Sequence, residues 1–410
     1  MWQNKVSLIS AIPICLCLGT FYSWSVFSGP LSTELDVSLA VVMVAFTISS
    51  CISGPANILG GILYNYIGPK LSLIIGGVLF SSGIFFSGCV KTVGAMYILY
   101  GIIMGTGLGI SYCTFSTNAA KLFPDKRGIS TGIVIGAYGL GSFLFSPIAN
   151  NLIQEFGVFS TFRMWGMCSA IIILISACFV KSPVRCNENI VTEKIHSVEK
   201  KSTPKTVDKK WKDILKDPQY YKIVIIVIIV STIGTMILSH AFDIIQSMSR
   251  LKSDKVAWTV GFISVSNACG RVFWGVLSDR AGRCRTLWCI FLLLALVLSC
   301  AVFFQLNNIG LVTIMLLVGF NYGGAMAMFP ALTVDCFGEN NSGINLGFVL
   351  IGTTFGSFIG PTVASVSLIY SGTYKSAFVI GGIMCLVGII LSNCLGKEKR
   401  SRKMFFKSLY

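Results

Sequence analysis

Arg271 is the residue whose type and position most clearly imply chemistry. It stands inside an apolar run, eight residues before Asp279, a spacing of about 12 Å along a helix. A guanidinium that deep in hydrocarbon costs several kcal/mol unless it faces a wet cavity or meets an anion. The apolar runs of this sequence contain no Asp or Glu to neutralise it. The missing counter-ion is then a ligand, because the planar fork of Arg matches a carboxylate through two parallel hydrogen bonds. Two other fates stay open on sequence alone: an ion pair with Asp243 at the outer end of the seventh run, or snorkelling to the surface.

His240, near the outer end of the seventh run, is the first candidate proton carrier, since imidazole changes charge near neutral pH, and Asp243, one turn on and just past that run, is the next. A lone His inside a membrane helix also serves as a plain hydrogen-bonded contact. Enzyme chemistry finds no support: there is no nucleophile elbow, zinc spacing or P-loop, and only 2 histidines. The 15 cysteines stand singly, mostly inside apolar runs, as small packing residues do. No metal or cofactor is expected.

The elements that must position Arg271 follow from composition. Of 410 residues 54% are hydrophobic and 12% charged, against about 25% charged in soluble domains. A membrane-spanning helix needs roughly 20 apolar residues, and twelve such runs can be laid out. They are Val6 to Phe27, Leu39 to Leu63, Leu71 to Val90, Val93 to Ala120, Gly128 to Ile153 and Met164 to Val180, then Ile223 to Ala241, Val256 to Leu277, Thr286 to Phe304, Gly310 to Val334, Ser342 to Tyr370 and Ser376 to Leu395. This predicts an all-α membrane protein with residues 1–180 as one six-helix half, 181–222 as a connector, 223–395 as the second half and 396–410 as a basic tail. The first run is read as a span, not a signal peptide.

The net charge of +16 would suggest nucleic acid on a soluble protein, but its placement argues otherwise. The termini and alternate loops hold 25 of the 32 Lys and Arg. Basic loops stay cytoplasmic during insertion, so both termini are expected in the cytosol. Within the connector, Trp211, Ile214 and Leu215 share one helical face. That face is suited to lying on the membrane surface, as the tail from Lys397 to Lys407 is suited to anionic headgroups; a solvated basic flank explains both equally well. Lipid is therefore an expected partner, nucleic acid is not, and a monomer is anticipated.

An internal repeat supports two pseudo-symmetric halves. Gly61-Ile-Leu-Tyr-Asn-Tyr-Ile-Gly68 aligns with Gly275-Val-Leu-Ser-Asp-Arg-Ala-Gly282 at an offset of 214, and Gly105, Gly109, Phe115, Phe123 and Pro147 match Gly319, Gly323, Phe329, Phe337 and Pro361 at the same offset. Gly141-Ser-Phe meets Gly356-Ser-Phe one residue out of step. Tandem six-helix halves are the plan of a secondary transporter with its site between them. Gly101, Gly105 and Gly109, and likewise Gly128, Gly132 and Gly136, recur every fourth residue. Such faces let helix backbones approach closely in lipid.

The segment Gly275-Val-Leu-Ser-Asp279-Arg280-Ala-Gly282-Arg283 resembles the loop between helices 8 and 9 of the major facilitator superfamily, where it gates movement of the halves. The first-half copy keeps Gly61, Gly68 and Pro69 but carries Asn65 and Tyr66 in place of Asp and Arg, which is expected to loosen that side. Tyr22-Ser-Trp24-Ser-Val-Phe27-Ser-Gly-Pro30, Asn267-Ala-Cys-Gly-Arg271 and Gly356-Ser-Phe-Ile-Gly-Pro361 are similar to the oxalate:formate antiporter family, with monocarboxylate transporters second. That resemblance implies the major facilitator fold and a substrate-binding role for Arg271. It implies an aromatic cage from Tyr22, Trp24, Tyr112, Tyr138 and Tyr322, with Asn321 and Ser111 as hydrogen-bonding neighbours.

Two departures from the family bear on substrate. Oxalate carriers of the family have a Lys on helix 11, where this chain has Thr353 or Thr354. One remaining cation suits a monocarboxylate such as pyruvate, lactate or formate better than a dianion. Proton-coupled monocarboxylate transporters place an Asp four residues before the helix 8 Arg; here Asn267 stands there, and an amide takes up no proton. An oxalate/formate-type antiporter, a neutral-solute carrier and a transporter-like receptor without flux are the alternatives.

Overall fold

The computed structural model describes residues 2–182, 208–248, 253–304 and 307–407, and every regular element among them is helical. Eleven of its helices are long and apolar enough to cross a membrane. One of these, Leu39–Ser87, runs for 49 residues, about 73 Å if straight and more than twice the hydrocarbon thickness of about 30 Å. It breaks at Gly68, whose φ of 79° and ψ of 174° are open to a residue without Cβ. A Cβ built at Gly60 would lie 2.6 Å from the Ile110 carbonyl oxygen, and one at Gly76 3.0 Å from Ile110 Cγ2. In a straight helix those two glycines would stand about 24 Å apart, so the chain doubles back at Gly68 and crosses twice.

Twelve crossings result. We number them α1 (Trp2–Gly19, continuing through the turn Thr20–Ser23 into Trp24–Glu34), α2 and α3 (the two arms of Leu39–Ser87), α4 (Val93–Leu122), α5 (Arg127–Phe156), α6 (Val158–Phe179), α7 (Pro218–Ser239), α8 (Ser253–Ala281), α9 (Arg283–Phe303), α10 (Asn308–Phe337), α11 (Ser342–Ser371) and α12 (Lys375–Lys407). Their apolar side chains form two main cores. One, with Phe80, Phe162 and Trp165, belongs almost wholly to α1–α6. The other, with Phe291, Phe329 and Phe378, belongs to α7–α12 and the segment before α7. This is the two-half, all-α membrane architecture expected from the repeat.

The glycine faces do what their spacing implies. Gly105 and Gly109 of α4 abut the α2 backbone at Ser49 and Ser53, while Gly128 and Gly132 of α5 abut the α8 backbone at Gly275 and Arg271. The halves meet along two seams, α5 with α8 and α2 with α11. A Cβ at Gly128 would stand 2.2 Å from the Gly275 oxygen, and one at Gly61 would stand 2.1 Å from the Gly343 oxygen. Without burial of apolar surface as a driving force between helices, such close packing is what holds them.

The connector differs from expectation where it is described. Its apolar face does not lie free for a membrane: Trp211–Ile214 forms a single turn docked on the second half. Ile214 is fully buried, and Trp211 stacks on Phe348 of α11 with ring centroids 5.8 Å apart. Asn345 donates to the Lys209 carbonyl at 3.0 Å, and Asn340 Nδ2 donates to Asp208 at 2.6 Å. The second half offered a matched apolar and polar surface, which a one-dimensional reading could not see. Helix α7 also begins at Pro218, with Asp217 accepting from the Gln219 N–H at 3.0 Å as its cap, inside the stretch assigned to the connector. Residues 183–207, residues 408–410 and the side chains from 396 onward lie outside the described residues, and with them the basic tail's proposed lipid contacts.

Candidate substrate site

Arg271 sits on α8 with 3% of its surface exposed. Its Nε donates to Asn267 Oδ1, one turn earlier on the same helix, at 2.9 Å. Its Nη1 donates across the seam to the Ile135 carbonyl of α5. The guanidinium carbon lies 5.5 Å from the centroid of the Tyr138 ring, within cation–π range. Among the described residues no carboxylate pairs with it. Five N–H groups are available on a guanidinium, and the two bonds above leave the rest of the fork free to take an anion. Neither snorkelling nor an ion pair in the described residues satisfies the group.

Four tyrosines gather round it from different helices. Tyr138 of α5 lies edge-on to Tyr22 of α1 and to Tyr112 of α4, each with centroids 5.5 Å apart. Tyr322 of α10 is buried, and its neighbour Gly323 abuts the residue that holds Arg271, a Cβ there standing 2.8 Å from Asn267 Oδ1. Tyr22 is the exposed member, at 40%. Three helices of the first half and two of the second thus meet at one cation.

Other residues singled out in the sequence lie elsewhere. Trp24 is buried inside the first half against Tyr100 and Phe162, its ring centroid 4.2 Å from that of Tyr100. Asn321 is fully buried and donates to its own helix at Leu317 (2.7 Å), leaving Oδ1 without a partner. Ser111 faces Gly76 of α3. Thr353 donates to Leu350 on its own helix at 2.6 Å, whereas Thr354 donates to the Cys51 carbonyl of α2 at 3.2 Å and so bridges the halves. His240 ends α7, 3.3 Å from the Ser365 hydroxyl and beside Tyr374, apart from the Arg271 group. The Asp243 side chain lies outside the described residues.

The gating loop is engaged chiefly through Asp279 and Arg283. Asp279 accepts from the backbone N–H groups of Gly128 and Ile129, at 2.8 and 2.9 Å, at the start of α5. Carboxylates are favoured at that helix end by its orphan N–H groups and dipole. Arg283 bridges Asp279 at 2.6 Å and Asp335 of α10 at 3.1 Å. Arg127 of α5 pairs with Asp335 at 2.7 Å and with Glu339. Gly275 makes the seam, Gly282 turns the chain at φ 92°, and Arg280 is exposed with no ion pair among the described residues.

One participant, and the pseudo-symmetric counterpart of Arg271, escaped the sequence reading. The Ile135 carbonyl is backbone and leaves no side-chain signal. Asn57 did leave one: the repeat offset of 214 maps Arg271 onto it. Asn57 is 4% exposed, donates to the Ser53 carbonyl at 2.8 Å, and keeps a buried Oδ1 without a partner.

Comparison with known proteins places the whole arrangement. The sequence model of the Major Facilitator Superfamily matches residues 9–252 and 224–408, and the chain belongs to that superfamily of membrane transporters. It is 28% identical over 393 residues to the oxalate:formate antiporter of Oxalobacter formigenes, covering 94% of this chain and 89% of that protein. It is 20% identical over 365 residues to monocarboxylate transporter 12 of Xenopus laevis, covering 84% and 78%. Its fold is similar to that of the human organic anion transporter MFSD10, with a TM-score of 0.72 at 13% identity over 95% of this chain and 99% of that one.

Proposed function

We propose that this transporter carries a small monocarboxylate, of the pyruvate, lactate or formate class, by alternating access of its two halves around Arg271. The observation that carries this reading is a buried guanidinium with free N–H groups and no described carboxylate partner. A carboxylate would complete the fork, and the tyrosine rings and hydroxyls would wall off water and orient the ligand. Asn267 holds Arg271 in place but cannot accept a proton, which favours exchange of one anion for another over proton symport. The excess of basic residues at the end bearing both termini favours a cytosolic position for that end. An oxalate-type dianion is the second reading, favoured by the similarity to the oxalate:formate antiporter; Thr353 and Thr354 add no second cation.

Counterflow in proteoliposomes with labelled formate, pyruvate, lactate and oxalate, with and without a pH gradient, tests the reading. Exchange of at least one monocarboxylate, faster than oxalate and insensitive to the gradient, is expected. No flux of any small anion would leave the neutral-solute or receptor alternatives standing.

A further inference from the structure

We propose that Gly234 of α7 sets the size of the anion that fits beside Arg271, by leaving the slot in which the Tyr322 ring rests; this builds on the transport reading above. A Cβ at Gly234 would lie 2.1 Å from Tyr322 Cδ2, 2.4 Å from Cε2 and 2.5 Å from Cγ. Carbon atoms pack at about 3.5 Å or more, so one methyl would displace the ring by about 1.4 Å.

Retreat of α7 is opposed by its packing on α11, where Gly356 and Gly360 already touch its backbone: a Cβ at Gly356 would stand 2.8 Å from Thr232 N, and one at Gly360 2.5 Å from Thr232 O. The flanking Ile233 and Ile237 are buried at 1% each. The ring must therefore swing away from α7, and its own helix lies against the Arg271 site: a Cβ at the next residue, Gly323, would stand 2.8 Å from Asn267 Oδ1, the atom to which Arg271 Nε donates. Gly234 touches no substrate in this account. It is a positioning residue acting through Tyr322.

The consequence is selective, not general. Crowding beside the guanidinium leaves room for formate, which has no carbon beyond its carboxylate, and penalises lactate and pyruvate. In Gly234→Ala the ratio of lactate to formate counterflow is expected to fall about fivefold or more, the least that overpacking strain of this kind costs. In a Tyr322→Ala background, where the ring is gone, adding Gly234→Ala is expected to leave the ratio unchanged, as a double-mutant cycle requires of a purely coupled pair.

A monodisperse Gly234→Ala protein with an unaltered ratio overturns the inference. So does an equal fall in both backgrounds, because the methyl would then act without Tyr322. If Gly234→Ala alone does not purify as a monodisperse protein, the Gly234→Ala/Tyr322→Ala pair must recover it; failure to recover also overturns the inference. Absence of any anion counterflow by the unaltered protein is a different result, which removes the transport reading itself.

Discussion

The two seams between the halves are built on one plan and finished with different chemistry. Gly128 against Gly275 and Gly132 against Arg271 on the α5–α8 side correspond, through the repeat, to Gly343 against Gly61 and Gly347 against Asn57 on the α2–α11 side. At the end of the first seam Asp279 caps α5 with a carboxylate tied to Arg283. The corresponding residue is Asn65, whose Oδ1 approaches the start of α11, 3.2 Å from where a Gly343 Cβ would be. An amide oxygen stands where the other side has an ion, and Pro69 falls where Arg283 would be needed. One seam is a charged latch carrying the Arg271 cation. The other is a neutral glycine contact carrying Asn57. Loss of the acid on the first-half loop has thus not left a gap, since backbone contact closes that seam as tightly.

The largest contrast should appear at the paired central residues. Arg271→Ala is expected to reduce anion counterflow at least about a hundredfold, as loss of a buried, hydrogen-bonded charge partner for the substrate costs several kcal/mol, while Asn57→Ala changes it by about fivefold or less. Equal losses would mean that the halves share the ligand symmetrically. Next in size are the seam glycines. In both Gly61→Ala and Gly128→Ala the new methyl meets a backbone oxygen that cannot move aside, so each should destabilise the closed termini end by about 1–3 kcal/mol. The readout is Cys113, fully buried on α4 with its thiol 3.4 Å from the Gly343 carbonyl. In a protein whose other cysteines are replaced, its alkylation should speed up in both variants; acceleration in only one would show that the seams do not open together.

Asp279→Asn should accelerate the same labelling by a smaller step, since about 1.5–3 kcal/mol is typical of hydrogen bonds to a charged group and Asp335 still holds Arg283. The smallest effect is expected from Asn65→Asp. Adding a charge at the start of α11 favours the closed end by about 0.3–1 kcal/mol, so Cys113 should label more slowly. Faster labelling would show that Asn65 does not serve as the counterpart of Asp279.

Much of this contrast was legible in the sequence, for stated physical reasons. An Arg in an apolar run, glycines every fourth residue and a repeat at a fixed offset are patterns whose causes are local. Tyr138 and Tyr112 are marked by the family resemblance and not by their type alone, since an isolated Tyr in an apolar run packs as readily as it binds. Trp24 had the same pattern and went into the first-half core, a choice made by packing with Tyr100 and Phe162 that no spacing reveals. Arg127, Asp335 and Glu339 fall just outside the apolar runs, and only the meeting of α5 with α10 makes them a latch. The connector's apolar face was visible, but not the second half as its destination.

The central claim is that the Arg271 guanidinium takes its counter-ion from the substrate, and binding tests this more directly than flux. Thermal unfolding of the detergent-purified protein would be followed with increasing lactate or with lactamide, which has the same shape without the charge. Ligand that binds only the native state raises Tm by mass action. The account predicts that lactate raises Tm of the unaltered protein while lactamide does not, and that Arg271→Gln responds to neither. Equal stabilisation by lactate in the unaltered and Arg271→Gln proteins would contradict it.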